Sequence, residues 1–599
     1  MSIVIIVPAT EKGRGGGHLS RCISLTRDLR NMNKEAFLFM PHQERDLTAL
    51  YLSLDFNPKW CITNAELKIR KEQLGKTVGF IILDRFQTPL EELLRWKKIA
   101  PVIGIDEGGL HRGSFDFLID ILIPEKIGKP KANIISPALL RCSIKNNLHN
   151  SSNSMLKVLI TFGQEDSAGL GIKTAKQLSA LNKQNTMEIT LIRGALQGNN
   201  SEKPSENVHI TALIPKLAER LGEWDVVITH YGITAYEAVF AETPVLLVHP
   251  TKYHKKLGRA AGFKTFSVRS ILNKKLLPAN KLLQNNNLQL SSVNTTLADL
   301  CAGFSPQVRR TCPVCGAENS RNIVRFTDRN YRRCSKCGVI YMDRLTKMPI
   351  EYEKDYFFES YKNQYGKTYL EDFETIKQAG KRRIKIIKSL RRVPSCSSDE
   401  KNELNLLDIG CAYGPFLEAA KEAGFSPVGI DPCEDAVQYV REKLGIPAIH
   451  GFFPDSHSPL PAACDVITLW LVIEHFTDCA KVTTEIRKKL KPNGILAFST
   501  PSFSGISGRT NLKRFLSASP ADHFVIWSPK VCKKALMFAG FKVRKIVITG
   551  HHSERFPLLG KFAKTKKSPL YWILLGVSKL FGLGDTLEVY AQKLSDNPN

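Results

Sequence analysis

No stretch of this 599-residue chain is apolar for long enough to cross a bilayer, and the opening run Ile3 to Ala9 is too short and too uncharged at its start for a signal peptide. Acidic residues are scarce. Against 85 Lys and Arg stand 57 Asp and Glu, a net charge of +28 that calls for an anionic partner or a tolerant cell. The paired cysteine spacing of secreted domains is also missing: four of the 14 cysteines form two C-x-x-C knuckles and the rest are scattered, which fits a reducing compartment and a cytoplasmic protein. No aromatic RNA-binding signature appears. What the chain does have is 43% hydrophobic content, enough for three or four cores of ordinary domain size. Polar seams near 149, 284 and 395 divide it.

The richest segment is Asn405 to Gly414, NLLDIGCAYG, followed by PVGID ending at Asp431. A short apolar strand that enters small residues lets backbone approach a cofactor, and a carboxylate about 20 residues on can grip ribose hydroxyls. The G-x-G-x-x-G of a pyrophosphate turn is absent, which disfavours a dinucleotide. Downstream, DAVQYVREKLG, PAIHG, DVITLWLVIEH, KVTTEIRKKLK and LKPNGILAFSTPS alternate helix and strand, the pattern of a parallel doubly wound sheet.

This stretch resembles the class I S-adenosylmethionine methyltransferases, whose pattern is an acidic residue followed by x-G-x-G-x-G. Asp408, Gly410 and Gly414 match, and Ala412 replaces the middle glycine. LKPNG resembles the family's LKPGG turn, and FKVRKIVITG with TLEVYAQK its closing antiparallel hairpin. The resemblance implies that Asp431 accepts the ribose hydroxyls, that the glycine turn accommodates the methionine end, that Asp408 orients the turn and that Asp455 contacts adenine. A sulfonium methyl is already activated, so alignment and water exclusion are the main demands. For proton removal, His475 and then His523 are the candidate bases near the ends of the fourth and fifth strands; each is equally able to cap a helix or orient a loop.

Upstream, Cys312 and Cys315 in TCPVCGA and Cys334 and Cys337 in RCSKCGV form two knuckles separated by 18 residues. Four thiolates at that spacing imply a structural zinc. The aromatic segment EYEKDYFFESYKNQYGKTYLEDF that follows resembles the joint between zinc ribbon and methyltransferase core in bacterial surface-sugar enzymes. It serves as a lid on the acceptor pocket or as a dock between ribbon and core.

In the first 300 residues, the strand MSIVIIVPAT leads into GRGGGHLSRC, where amides at a helix start favour an anion. With GFIILDRF, VIGIDEGG, VLITFG and VVITHYGITAYEAVFAETPVLLVHP it resembles, over about residues 1 to 285, the nucleotide-sugar hydrolases of pseudaminic acid synthesis, a branch of the GT-B superfamily. The resemblance implies a reactive His18, and binding of a UDP-linked nucleotide sugar by Gly17, Arg21, Gly163, Gly232, Thr234 and Glu237, with Asp84 and Asp106 flanking the cleft. Departures are Phe162-Gly163-Gln164-Glu165-Asp166 in place of F-G-G-S-D, Tyr231 in place of a glycine, and Tyr253-His254 in place of Asn-Gln. A bulky Tyr231 beside the phosphate site would narrow it, which leaves binding without turnover as an alternative.

The expected architecture is α/β and multidomain: two Rossmann-like GT-B-type domains over 1–148 and 149–300, a small zinc ribbon over 308–345, an aromatic and basic helical linker over 346–402, and a class I methyltransferase sheet over 403–599. The expected function is methylation of a sugar or glycan in surface-polysaccharide or glycoprotein assembly. The rival is RNA methylation, supported by charge and zinc. KRRIKIIKSLRR at 381 to 392 reads as a solvated helix face with one apolar stripe, or as a patch for nucleic acid or phospholipid. GKFAKTKKSPLYWILLGVSKLFG, between the last two strands, rests on a membrane surface or covers the acceptor site.

Overall fold

The structure, a computed structural model, describes residues 2–11, 16–41, 47–64, 66, 77–140, 155–166, 168–182, 185–194, 206–268, 295–347, 358, 361–362, 366–391, 404–454 and 460–594. It divides into two compact units, one of Met1–Val308 with Arg325–Arg329 and Arg344–Lys347, the other of Arg309–Val324, Asn330–Asp343 and Met348–Asn599.

The first unit contains two parallel sheets. Strands β1 (Ile3–Pro8), β2 (Ala36–Phe39), β3 (Cys61–Ile62), β4 (Val78–Asp84), β5 (Val102–Ile105), β6 (Phe117–Asp120) and β7 (Ile134–Ile135) lie in the order β3-β2-β1-β4-β5-β6-β7. Strands β8 (Leu156–Ile160), β9 (Met187–Ile192), β10 (Val208–Thr211), β11 (Val226–Thr229), β12 (Val245–Val248) and β13 (Thr265–Phe266) follow as β10-β9-β8-β11-β12-β13. Both sheets reverse direction beside their first strand, as doubly wound sheets do. Every residue of IVIIVP is buried, because helices cover both faces of a parallel sheet and leave no side for polar alternation. The helix Leu297–Ala302, which straddles the boundary expected at 300, packs through Leu297, Ala298 and Cys301 into the core of the first sheet, with Leu19, Cys22 and Ile23.

The second unit begins with β14 (Ser320–Arg325), β15 (Arg329–Cys334) and β16 (Ile340–Arg344). The main sheet is formed by β17 (Leu404–Ile409), β18 (Phe425–Asp431), β19 (Ala448–His450), β20 (Cys464–Trp470), β21 (Leu490–Pro501), β23 (Phe541–Thr549) and β24 (Thr586–Lys593), ordered β19-β18-β17-β20-β21-β24-β23. β24 runs antiparallel to both its neighbours, as the closing hairpin requires. The two-residue strand β22 (Val525–Ile526) leaves this sheet and pairs antiparallel with β16. Cys312, Cys334, Cys337 and Tyr341 therefore share one core with Leu469, Ile473, Phe498 and Trp527.

The basic helix Phe373–Leu390 buries Gly380, Ile384 and Ile387, an i, i+4, i+7 stripe. A Cβ on Gly380 would lie 3.2 Å from Phe416 Cδ2, so this glycine sets how closely the helix approaches Pro415–Glu422. Its cations meet this unit's own acids: Lys377 Nζ lies 2.8 Å from Glu418 and 2.7 Å from Glu422, and Arg383 Nε lies 3.0 Å from Glu588.

Candidate active sites

β17 runs into a turn in which Gly410, Ala412 and Gly414 have φ of 73°, 48° and 78°. Glycine takes this left-handed region freely, whereas alanine pays about 1–2 kcal/mol. The turn is pressed against its neighbours: a Cβ on Gly410 would sit 2.4 Å from Val472 Cγ2, and one on Gly429 2.6 Å from Cys411 Sγ. Asp431 ends β18 and is buried. Its Oδ2 accepts from the Ala412 amide at 2.8 Å and its Oδ1 from the Cys433 amide at 2.9 Å. Each oxygen has further acceptor capacity. Burial pushes this carboxyl up to about 6 although the two amides favour its charge. A buried carboxylate with spare lone pairs beside a small-residue turn fits the vicinal ribose hydroxyls of S-adenosylmethionine. Asp408, pushed by burial to about 7, accepts from Thr468 Oγ1 at 2.6 Å and so ties β17 to β20. Asp455 lies outside the described residues. Tyr413 packs with Phe358, Tyr369 and Tyr439, so the described part of the aromatic segment walls the turn.

Beyond Val472 the chain reaches a second cluster. His475 Nδ1 stands 3.0 Å from Asp522 Oδ2, and the His523 ring lies edge-on 4.8 Å away. Burial works against the His475 imidazolium, but Asp522 and Glu474 outweigh it and raise its pKa. His523 is pushed down to about 3 by burial and by His475, which keeps it neutral at working pH. Glu474 is fully buried, and burial pushes it to about 7 although the Thr500 hydroxyl and His475 favour its charge. Thr500, at the end of β21, is the one hydroxyl described beside it, and no well-aligned hydrogen bond joins either group to the rest of the described protein. Asp522 on Nδ1 orients the His475 ring and favours its protonated form, which suits an imidazole that takes up a proton.

The four knuckle cysteines converge. Cys312 and Cys337 sulfurs are 3.7 Å apart, Cys315 and Cys334 3.6 Å, and all four lie within 4.8 Å of one another. Tetrahedral zinc with sulfurs at about 2.3 Å requires sulfur–sulfur distances of about 3.8 Å, so the donor set fits zinc. Each knuckle closes alike: the Gly316 amide bonds Cys312 O at 2.9 Å and the Gly338 amide bonds Cys334 O at 3.1 Å, both glycines having positive φ.

In the first unit, His18 Nδ1 lies 2.5 Å from Asp84 Oδ1 at the end of β4. Arg21 donates from Nε and Nη2 to Asp84 and from Nη1 to Asp106, whose other oxygen accepts three amides from Ile121, Leu122 and Ile123. Desolvation opposes its charge, yet Arg21 and His18 hold Asp84 well below the usual carboxylate range. The guanidinium of Arg21 locks the helix Gly17–Asn31 to two strand ends. Tyr231 is 5% exposed, and its hydroxyl donates to Leu122 O at 2.7 Å, so it packs in the core of this unit. Gly163 follows β8 with φ 80°, and Asp166 caps the next helix through the amides of Leu170 and Gly171. Gly232 precedes the helix Ile233–Phe240, which carries Thr234 and Glu237. A Cβ on Gly17 would lie 3.9 Å from Ile233 Cδ1, so the two helix starts face each other. Glu237 has no described hydrogen-bond partner, and burial pushes it to about 7. Burial also drives His230 down to about 4, and its Nδ1 is unbonded.

Known proteins match the second unit's sheet and turn. A family described as "Methyltransferase domain" matches residues 379–546, which hold the glycine turn, Asp431 and His475–Asp522. Residues 379–546 are an S-adenosylmethionine-dependent methyltransferase domain. The chain is 28% identical over 221 residues to the mitochondrial ubiquinone biosynthesis O-methyltransferase of Schizosaccharomyces pombe, covering 34% of this chain and 73% of that one. It is 30% identical over 138 residues to the ubiquinone biosynthesis O-methyltransferase of Histophilus somni, covering 22% of this chain and 55% of that one. The solved structure of a SAM-dependent methyltransferase from Archaeoglobus fulgidus aligns at 19% identity and a TM-score of 0.28, covering 40% of this chain and all of that one. Within this domain, the turn and Asp431 named from the sequence stand together at one sheet end, and the two named histidines stand together in a cluster. Sequence reasoning assigned no role to Asp522, Glu474 or Thr500, which stand in that cluster. The acid–histidine doublets Glu474-His475 and Asp522-His523 were a usable signal, but only the fold shows that the acid of one doublet serves the histidine of the other.

Proposed function

We propose that the methyltransferase domain methylates a hydroxyl oxygen of a sugar or glycan, with His475 as general base and Asp522 as its positioning partner. When bound, S-adenosylmethionine supplies an electrophilic methyl on sulfonium. Asp431 holds the ribose, the turn Gly410–Gly414 takes the methionine end, and His475 Nε2 removes the acceptor proton. The observation that carries the acceptor class is the buried polar pair Glu474 and Thr500 near His475, whose only described side-chain partners are each other. Buried polar atoms of this kind call for partners. A polyhydroxylated acceptor supplies several, whereas the phenol suggested by the relatives' names supplies few. The first unit belongs to this reading as a GT-B-like half that binds the nucleotide sugar between the helix starts at Gly17 and Ile233, near His18.

The test follows labelled methyl from the cofactor into nucleotide-sugar and glycan pools and into RNA. Label in the sugar pools supports the proposal; label confined to RNA or to a quinone precursor overturns it. His475→Ala should bind cofactor normally by calorimetry and lose at least about a hundredfold in kcat. Asp522→Asn should move the alkaline-rising limb of the pH–rate profile to lower pH, because the carboxylate that raises His475 is gone.

A further inference from the structure

We infer that the insert between β23 and β24 is a docking surface for an anionic lipid bilayer. From Phe556 to Gly584 it contains Lys561, Lys564, Lys566, Lys567 and Lys579 and not one acidic residue. Its hydrophobic side chains point outward: Leu558 is 87% exposed, Phe562 64%, Trp572 56%, Ile573 62%, Leu580 79% and Phe581 65%. The helix Pro569–Leu580 is inverted relative to an ordinary surface helix. It buries only Leu574 and Ser578, while Trp572, Ile573, Gly576 and Leu580 form the outer stripe, at helical spacing. A Cβ on Gly576 would meet nothing.

This surface is built rather than frayed. Trp572 Nε1 donates to Lys566 O at 2.9 Å, Ser553 Oγ to Tyr571 O at 2.8 Å, and His551 Nδ1 pairs with Ser578 Oγ at 2.7 Å. An apolar stripe with an indole, flanked by five lysines, complements the headgroup and upper acyl layer of an anionic leaflet. The two acids of the insert, Glu554 and Asp585, are paired with Arg555, which leaves the lysines as its unmatched charge among the described ion pairs. At 12 residues the helix is too short for the roughly 20 needed to cross a bilayer, and among the described residues no helix is long and apolar enough to do so. The insert therefore lies on a membrane. It leaves the sheet at Thr549 and returns at Thr586, which pairs with Pro501 at the end of β21. That is the sheet end which carries the Asp431 turn and Thr500, so the patch offers the methyl site to acceptors held at a lipid surface.

Flotation of the full chain with vesicles of phosphatidylcholine containing phosphatidylglycerol, and with phosphatidylcholine alone, tests this. Binding to the anionic vesicles only, reversed by salt, is expected. Each lysine near an anionic surface contributes about fivefold, so K564Q/K566Q/K567Q should weaken binding on the order of a hundredfold. W572S/I573S removes two outward side chains and the single bond from Trp572 to Lys566 O, and should also release the protein, with circular dichroism unchanged. Absence of vesicle binding, binding indifferent to either variant, or a dimer in sedimentation that W572S/I573S turns into a monomer would each overturn the inference.

Discussion

Asp431 is a carboxylate waiting for donors. Its folded pKa, about 6, lies above the unfolded value near 4, so the folded protein binds that proton more tightly and loses stability as pH rises between the two. If Asp431 takes the ribose as proposed, two hydroxyls donate far better to the carboxylate, which offers both oxygens, than to the acid, so cofactor binding favours loss of the proton. Affinity for S-adenosylhomocysteine should therefore be about tenfold weaker at pH 5 than at pH 7 and flat above, with proton release seen by calorimetry in buffers of different ionisation enthalpy. Asp431→Ala should abolish binding; full affinity in that variant would remove the residue from the site. Residues of this kind are legible because their signal is local. Gly410, Gly414 and Asp431 act within one strand–turn–strand. The partners of Arg21 and Tyr231, Asp106 and the Leu122 carbonyl, could not be read in the same way, because they lie far off in sequence.

Among elements, the strands of both parallel sheets and the closing hairpin could be read from apolar runs, because burial on both faces or on one leaves a clear pattern. The two-residue β22 could not. It carries no periodicity, yet it joins β16 to the loop of His523, and the Phe524 amide bonds Glu474 O at 2.8 Å while the Met342 amide bonds Phe524 O at 2.9 Å. The ribbon thus abuts the acceptor cluster through two backbone bonds. The chain should contain one zinc by elemental analysis. Chelation or Cys312→Ser should lower the melting midpoint of this unit by about 10 °C, since several kcal/mol are lost with the metal. The methyl-transfer base should suffer more than cofactor affinity, because Asp431 makes no bond to the ribbon among those described.

At the scale of the molecule, charge alone pointed equally to RNA and to lipid. Position separates them: the cations of the helix Phe373–Leu390 are matched by Glu418, Glu422 and Glu588, whereas among the described ion pairs none involves Lys561, Lys564, Lys566, Lys567 or Lys579, and the insert's own acids, Glu554 and Asp585, pair with Arg555. Two units with separate cores also predict separate ligand responses. The buried clusters around Ile23, Phe115 and Val158 belong to the first unit, those around Leu469 and Leu417 to the second. A ligand that binds only the folded form stabilises by about 2.7 kcal/mol at a hundred times its Kd. Calorimetric scanning should resolve two transitions. S-adenosylhomocysteine at that excess should raise one by about 5–10 °C, and UDP should raise the other. Asp431→Ala should erase the first shift and leave the second. A single transition moved equally by both ligands would mean that the two halves fold and bind as one cooperative body.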